Sequence, residues 1–171
     1  MPRPFMEALL AGDNAAAGEV IGAVVPERLR DHLEDFLRYR LAQVIADPSI
    51  RRWLGRAMVL TDADGTRHVI GTIGFHGPPD DRDRLEIGYS VQAAFRRRGF
   101  AREAVRAMLE WAAGEHGIHR FIASISPTNE ASLALTRAFG FVRTGEQMDE
   151  IDGLELVLEA DWPARDPDSL A

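Results

Sequence analysis

The chain has 171 residues, 46% of them apolar and 27% charged, with a net charge of −7, which is the size and balance of one packed globular domain. It contains no cysteine, and all 20 of its basic residues are arginine; disulfides, thiolate nucleophiles, sulfur-ligated metals, Schiff-base lysines and a Walker-type phosphate loop are therefore excluded. The acidic balance argues against nucleic acid as a partner, no run approaches the ~18 apolar residues of a membrane span, and without a basic-then-apolar leader the expected compartment is the cytoplasm.

The first quarter reads as helical. Phe5–Leu10, Ala15–Val24 and Pro26–Ile45 carry apolar residues at three-to-four spacing, with Leu29, Leu33, Phe36, Leu37, Leu41 and Val44 as one stripe. Pro26 suits a first helical turn, and Asp47-Pro48 ends the run. Ala57–Leu60 and Val69–Phe75 then flank a polar turn and read as a hairpin. Gly77-Pro78-Pro79 opens a loop, and Leu85–Val91 alternates at period two, as a strand with unlike faces does. Arg102–Glu115 is a helix, Phe121–Ile125 a strand and Ser132–Phe139 a short helix ended by Gly140. Phe141–Met148 and Leu154–Leu158 flank Asp152-Gly153, the strongest hairpin signal in the chain. The expectation is one α+β domain over 1–171, with 1–50 helical and a polar, frayed tail from 163.

Charge is uneven. Arg96–Arg106 holds five arginines and one glutamate, a local +4, so the rest of the chain carries −11. This island precedes a helix, whose first turn offers unpaired N–H groups and a positive dipole end. Gly99 and Ala101 keep bulk away, as a phosphate cradle requires. Taken alone, the run also reads as a solvated helix start. A dinucleotide fingerprint fails, because Arg97 or Ala101 stands where glycine is needed.

Arg96-Arg97-Arg98-Gly99-Phe100-Ala101 resembles the Gln/Arg-x-x-Gly-x-Gly/Ala motif of the GNAT superfamily of N-acetyltransferases. Ile70–Phe75 and Glu86-Ile87-Gly88-Tyr89 precede it at the family's strand spacing. Asn129-Glu130-Ala131-Ser132 and Ala138-Phe139-Gly140-Phe141 follow it, similar to the family's Asn-x-x-Ser and Gly-Phe signatures. The resemblance runs from about Arg56 to Glu159 and is nearest to the ribosomal-protein N-terminal acetyltransferase branch. It implies a mixed, mostly antiparallel central sheet flanked by helices, with a splayed central strand pair. It also implies acetyl-CoA as co-substrate, held at Arg96, Arg97, Arg98, Gly99, Phe100, Ala101 and Arg102, with Ser90, Val91, Asn129 and Ser132 as further contacts. Two departures stand out. The family usually opens with a strand, whereas Met1-Pro2-Arg3-Pro4 leads straight into helix; either that strand is dispensable or the natural start lies upstream. Many relatives carry an acid tyrosine where this chain has Thr136.

Acetyl transfer to an amine requires a neutral nucleophile, a donor for the oxyanion and a proton for the leaving thiolate. Without cysteine, lysine or a Gly-x-Ser-x-Gly elbow, direct attack in a ternary complex is favoured over an acyl-enzyme. The resemblance places the donor in the backbone of Ser90 and Val91 and the base at Glu86, with Asp149 and Glu150 as second choices. Ser132 is the best remaining group for the thiol, although Asn129 and Ser132 also read as helix caps. His76, at the end of a strand before Gly77-Pro78-Pro79, could reach a substrate cleft but reads first as a loop histidine, and His116 and His119 read as helix-end residues. No metal-ligand spacing occurs. The expected acceptor is a primary amine, such as a protein N-terminus or a small amine, and a homodimer is compatible with the sequence. The alternative is a non-catalytic acyl-CoA-binding sensor.

Overall fold

The computed structural model describes residues 1–149 and 153–163. Among the described residues three α-helices are followed by three strands, then a helix, a strand, a helix and two strands, and the sheet order is β1-β2-β3-β4-β6-β5. The strands are β1 Arg56–Thr61, β2 Arg67–Phe75, β3 Arg84–Val91, β4 Arg120–Ile125, β5 Val142–Asp149 and β6 Gly153–Asp161. The helices are α1 Arg3–Leu10, α2 Asn14–Ile21, α3 Glu34–Ala46, α4 Phe100–His116 and α5 Glu130–Arg137. Among the described residues no helix is long and apolar enough to cross a membrane. The chain divides into two compact units, one of residues 1–74 and 89–100, the other of 75–88 and 101–171.

In the first unit α1 buries Phe5, Met6 and Leu9, spaced to share one helix face. They join Ala17, Val25, Leu29, Leu37, Val44, Leu54 and Val69 in one core. Burial of each large apolar side chain contributes roughly 1.5–3 kcal/mol. Asp13 caps α2, its carboxylate accepting from Ala16 N–H at 2.9 Å. Gly22, at φ 61°, ends the helix left-handed. The expected helix over Ala15–Val24 therefore stops at Ile21, and Val24 instead makes an isolated parallel bridge to His68. The expected helix over Pro26–Ile45 is also broken. A short 3₁₀ turn, Arg30–His32, precedes Leu33 at φ −127°, and α3 starts only at Glu34. Leu29 and Leu37 still reach the same core, so burial is kept without a continuous helix. The hairpin of β1 and β2 forms in the expected place, with a register shift between Met58 and Val59.

In the second unit α4 buries Val105, Met108, Leu109 and Ala112, the i, i+3, i+4, i+7 set of an amphipathic helix. Phe75 stacks on Phe121 and Trp111 at centroid distances of 6.0 and 6.4 Å. β6 pairs antiparallel with β4 on one side and β5 on the other. Parallel pairing of β3 with β4 is confined to Arg84–Glu86 against Arg120–Ile122. A loop clamp secures this end of β3. Asp80 accepts from the backbone N–H groups of Arg82 and Arg84 and from Arg84 Nε, each at 2.9 Å, while Arg84 Nη1 donates to Glu159 at 2.9 Å.

Candidate active site

β3 presents two unlike faces. Leu85, Ile87 and Val91 are buried, while Glu86 and Gly88 lie on the opposite face and the Glu86 side chain is 29% exposed. Its even-numbered residues bond to the chain of β2: His76 N–H donates to Glu86 O at 2.8 Å, and Gln92 N–H donates to Ile70 O at 2.9 Å. Bonding sides alternate along a strand. Ser90 N–H is thereby directed toward β2, and Val91 N–H toward the other edge. Gly71 lies so close beneath this strand that a Cβ there would sit 2.2 Å from Ser90 O.

After β3 the chain makes a 3₁₀ turn, Ala93–Phe95, and enters α4 through the arginine run. Arg96 is extended, Arg97 is left-handed at φ 60° and Gly99 is left-handed at φ 87°. Glycine adopts such angles freely, but an arginine there is strained by roughly 1–3 kcal/mol. The side chains on either side brace the turn. Arg96 Nε donates to Val91 O at 2.8 Å, and the Arg98 guanidinium lies over the rings of Phe95 and Phe100 at 5.8 and 5.0 Å. The two left-handed residues lead directly into the first turn of a 17-residue helix, whose unpaired backbone N–H groups are the donors available at this end. A Cβ on Gly99 would meet nothing within 4 Å, so the space over the turn is open. Arg97 and Arg102 are exposed. The donor set and the open space fit a pyrophosphate. Sequence reasoning found the turn but not the bracing by Arg96 and Arg98, which no short motif encodes.

His76 directly follows β2, and its backbone hydrogen bond to Glu86 continues the ladder. Its Nδ1 is 3.5 Å from Glu86 Oε1. It lies in a bend just past the end of β2, as its reading as a loop histidine expects. The signal was present in the sequence as a histidine ending one strand and a Glu-x-Gly on the next, but pairing the two needs the register.

Asn129 caps α5, its Oδ1 accepting from Ser132 N–H at 3.2 Å. The expected helix over Ser132–Phe139 thus begins at Glu130, and Gly140 is left-handed at φ 81° as expected. Ser132 is half-buried and Asn129 exposed. Thr136, standing at the family's tyrosine position, is 2% exposed, and its hydroxyl donates back to Ser132 O and Leu133 O at 3.0 and 3.2 Å. That hydroxyl is satisfied within its own helix. Asp149 is the last residue of β5, paired with Gly153; Glu150 and Asp152 lie outside the described residues.

Residues 25–142 match the family model of the acetyltransferase (GNAT) domain. The uncharacterized N-acetyltransferase YoaA of Bacillus subtilis is 36% identical over 80 residues, which are 47% of this chain and 45% of that protein. The curated relatives are matched over about half their length. Among solved structures, a GNAT-family acetyltransferase from Bacillus anthracis superposes with TM-score 0.59 at 20% identity, over 94% of this chain and 91% of that one. The ribosomal-protein-S5-alanine acetyltransferase of Vibrio fischeri does so with TM-score 0.57 at 23% identity, over 72% of this chain and 69% of that one. The matched family model extends over more than half of the chain, through the arginine turn, α4 and α5, and on that footing the chain belongs to the GNAT family of N-acetyltransferases.

Proposed function

We propose that the chain transfers an acetyl group from acetyl-CoA to a primary amine by direct attack in a ternary complex. The observation that carries this reading is the braced turn, with left-handed Arg97 and Gly99 opening directly into α4. The backbone from Arg96 to Ala101 would hold the pyrophosphate, and the exposed guanidiniums of Arg97 and Arg102 add charge that no pH change removes. When bound, acetyl-CoA supplies an activated acyl carbon and a thiolate leaving group. Val91 N–H, on the edge away from β2, is the donor assigned to the carbonyl oxygen; Ser90 supports the strand. Glu86 is the acid–base carboxylate, with Asp149 as the second choice. Ser132 hydrogen-bonds the thiol end, and Asn129 caps the helix that carries it. The −11 carried outside the arginine island favours a cationic acceptor, such as a protein N-terminus or a polyamine.

The test is release of free thiol from acetyl-CoA across a panel of amines and N-terminal peptides, together with CoA binding by calorimetry. Release that depends on one amine supports the reading. Gly99→Glu places a like charge at the cradle and forces a side chain into φ 87°, so CoA affinity should fall at least ~10-fold; unchanged affinity would refute the cradle. A second reading, an acyl-CoA sensor, is favoured by the Thr136 hydroxyl being tied to its own helix where relatives carry an acid. Tight CoA binding without turnover across the panel would select it.

A further inference from the structure

We propose that Arg96 is the positioning residue of the oxyanion donor: its guanidinium takes the carbonyl of Val91 and leaves the N–H of the same residue for the thioester oxygen. The inference rests on the acetyl-transfer reading and adds the group that holds its donor in place. Every residue involved, from Val69 to Gly71 and from Ser90 to Gly99, belongs to one compact unit.

The N–H and C=O of a strand residue leave the backbone on the same edge. At Val91 that is the edge turned away from β2, because Gln92 N–H donates to Ile70 O at 2.9 Å on the other. A strand paired along that edge would engage both groups of Val91. The chain instead folds back through the 3₁₀ turn Ala93–Phe95 and brings Arg96 Nε to Val91 O at 2.8 Å. A guanidinium has N–H donors and no acceptor. It satisfies the carbonyl and cannot take the N–H beside it, as a side-chain amide or hydroxyl could.

The residues on either side of Val91 are fixed against β2. Gln92 Nε2 donates to Val69 O at 2.6 Å, and Ser90 O sits so close to Gly71 that a Cβ there would be 2.2 Å away. With these neighbours fixed and its own carbonyl held by Arg96, Val91 has little freedom to swing its N–H. A donor aligned before the reaction is what lowers the barrier to an oxyanion. Arg96 also opens the arginine turn, since the next residue, Arg97, is the left-handed one at φ 60°. One residue thus joins the donor, through its side chain, to the proposed pyrophosphate cradle, through its backbone. Phosphate capture and donor alignment are thereby coupled.

The step balances without a further reactant. As the amine nitrogen bonds to the acyl carbon, charge gathers on the thioester oxygen and is met by Val91 N–H. The carbonyl re-forms as the carbon–sulfur bond breaks and the sulfur leaves with the electron pair. The proton lost by the nitrogen goes to the base.

The experiment separates alignment from binding. Arg96→Met keeps much of the side chain and removes its donors; Arg96 is exposed, so the fold should tolerate the change. At saturating acetyl-CoA, kcat should fall roughly 10-fold to 100-fold with the KM of the amine unchanged, less than the loss of a donor outright. Arg96→Lys, again with donors and no acceptor, should recover most of that loss. In the ligand-free protein, NMR should show the Gln92 amide, which shares a peptide unit with the Val91 carbonyl, moving in Arg96→Met and returning in Arg96→Lys. Saturating inorganic pyrophosphate should shift the same amide in the unaltered chain and leave it in place in Arg96→Met. An unchanged kcat in Arg96→Met, with only the KM of acetyl-CoA raised, would make Arg96 a brace of the turn and overturn the proposal, leaving acetyl transfer intact. An unmoved Gln92 amide in Arg96→Met would overturn it in the same way. Absence of thiol release by the unaltered chain would overturn acetyl transfer and this proposal together.

Discussion

Two glycines near β3 are required by opposite kinds of contact. At Gly88 the obstacle to a side chain is a movable ring. At Gly71 it is backbone: a Cβ would sit 2.2 Å from Ser90 O and 3.1 Å from Val91 Cα. Neither strand can give by that much without losing its ladder. Gly71→Ala is expected to destabilise the chain by about 1–3 kcal/mol, read as a lower urea midpoint with an unchanged slope. It should also weaken turnover, since the displaced residues are those that carry the proposed oxyanion donor. Thr136 teaches a related lesson. It stands where many relatives carry an acid tyrosine, and burial and two carbonyl acceptors on its own helix give its hydroxyl a structural occupation.

At the scale of elements, α5 is short, with eight residues and one side-chain cap. Asn129→Ala removes that cap and should cost about 1 kcal/mol in thermal or denaturant unfolding. If kcat and KM stay put while stability falls, Asn129 is a cap and nothing more. The amphipathic elements were legible in the sequence because their periods are strong: α4 buries the expected stripe, and both hairpins sit where turn residues pointed. The breaks were not. Leu29, Leu33 and Leu37 repeat every four residues, as in one helix, and only packing against α1 and its neighbours decides that the chain turns at Leu33 instead. The candidate site followed the same division. The arginine turn is local and could be read from six residues, whereas the meeting of His76 and Glu86 depends on the register between two strands and could not.

For the whole molecule, acid stability should depend on the loop clamp. Burial alone would raise the Asp80 pKa, but hydrogen bonds from the Arg84 side chain and the Arg84 and Arg82 amides, with the Arg84 charge, outweigh it and bring it from 3.8 to about 2. A carboxylate with a depressed folded pKa stabilises the fold fully above its unfolded value and loses that contribution as pH falls through the folded one. Between pH 4 and about 2 the melting temperature of the unaltered chain should therefore fall more steeply than that of Asp80→Asn; parallel curves would remove the clamp from the account. Arg97 sets stability against use in another way. Its left-handed backbone, which among the described non-glycine residues only Asp83 shares, is a strained position, so the exchange to glycine is among the simplest routes to a more stable fold. Selection for robustness alone would erase this arginine. On the proposed pyrophosphate contact, ligand capture and not endurance has set the residue at this turn, and stabilising the protein by design should then leave it untouched.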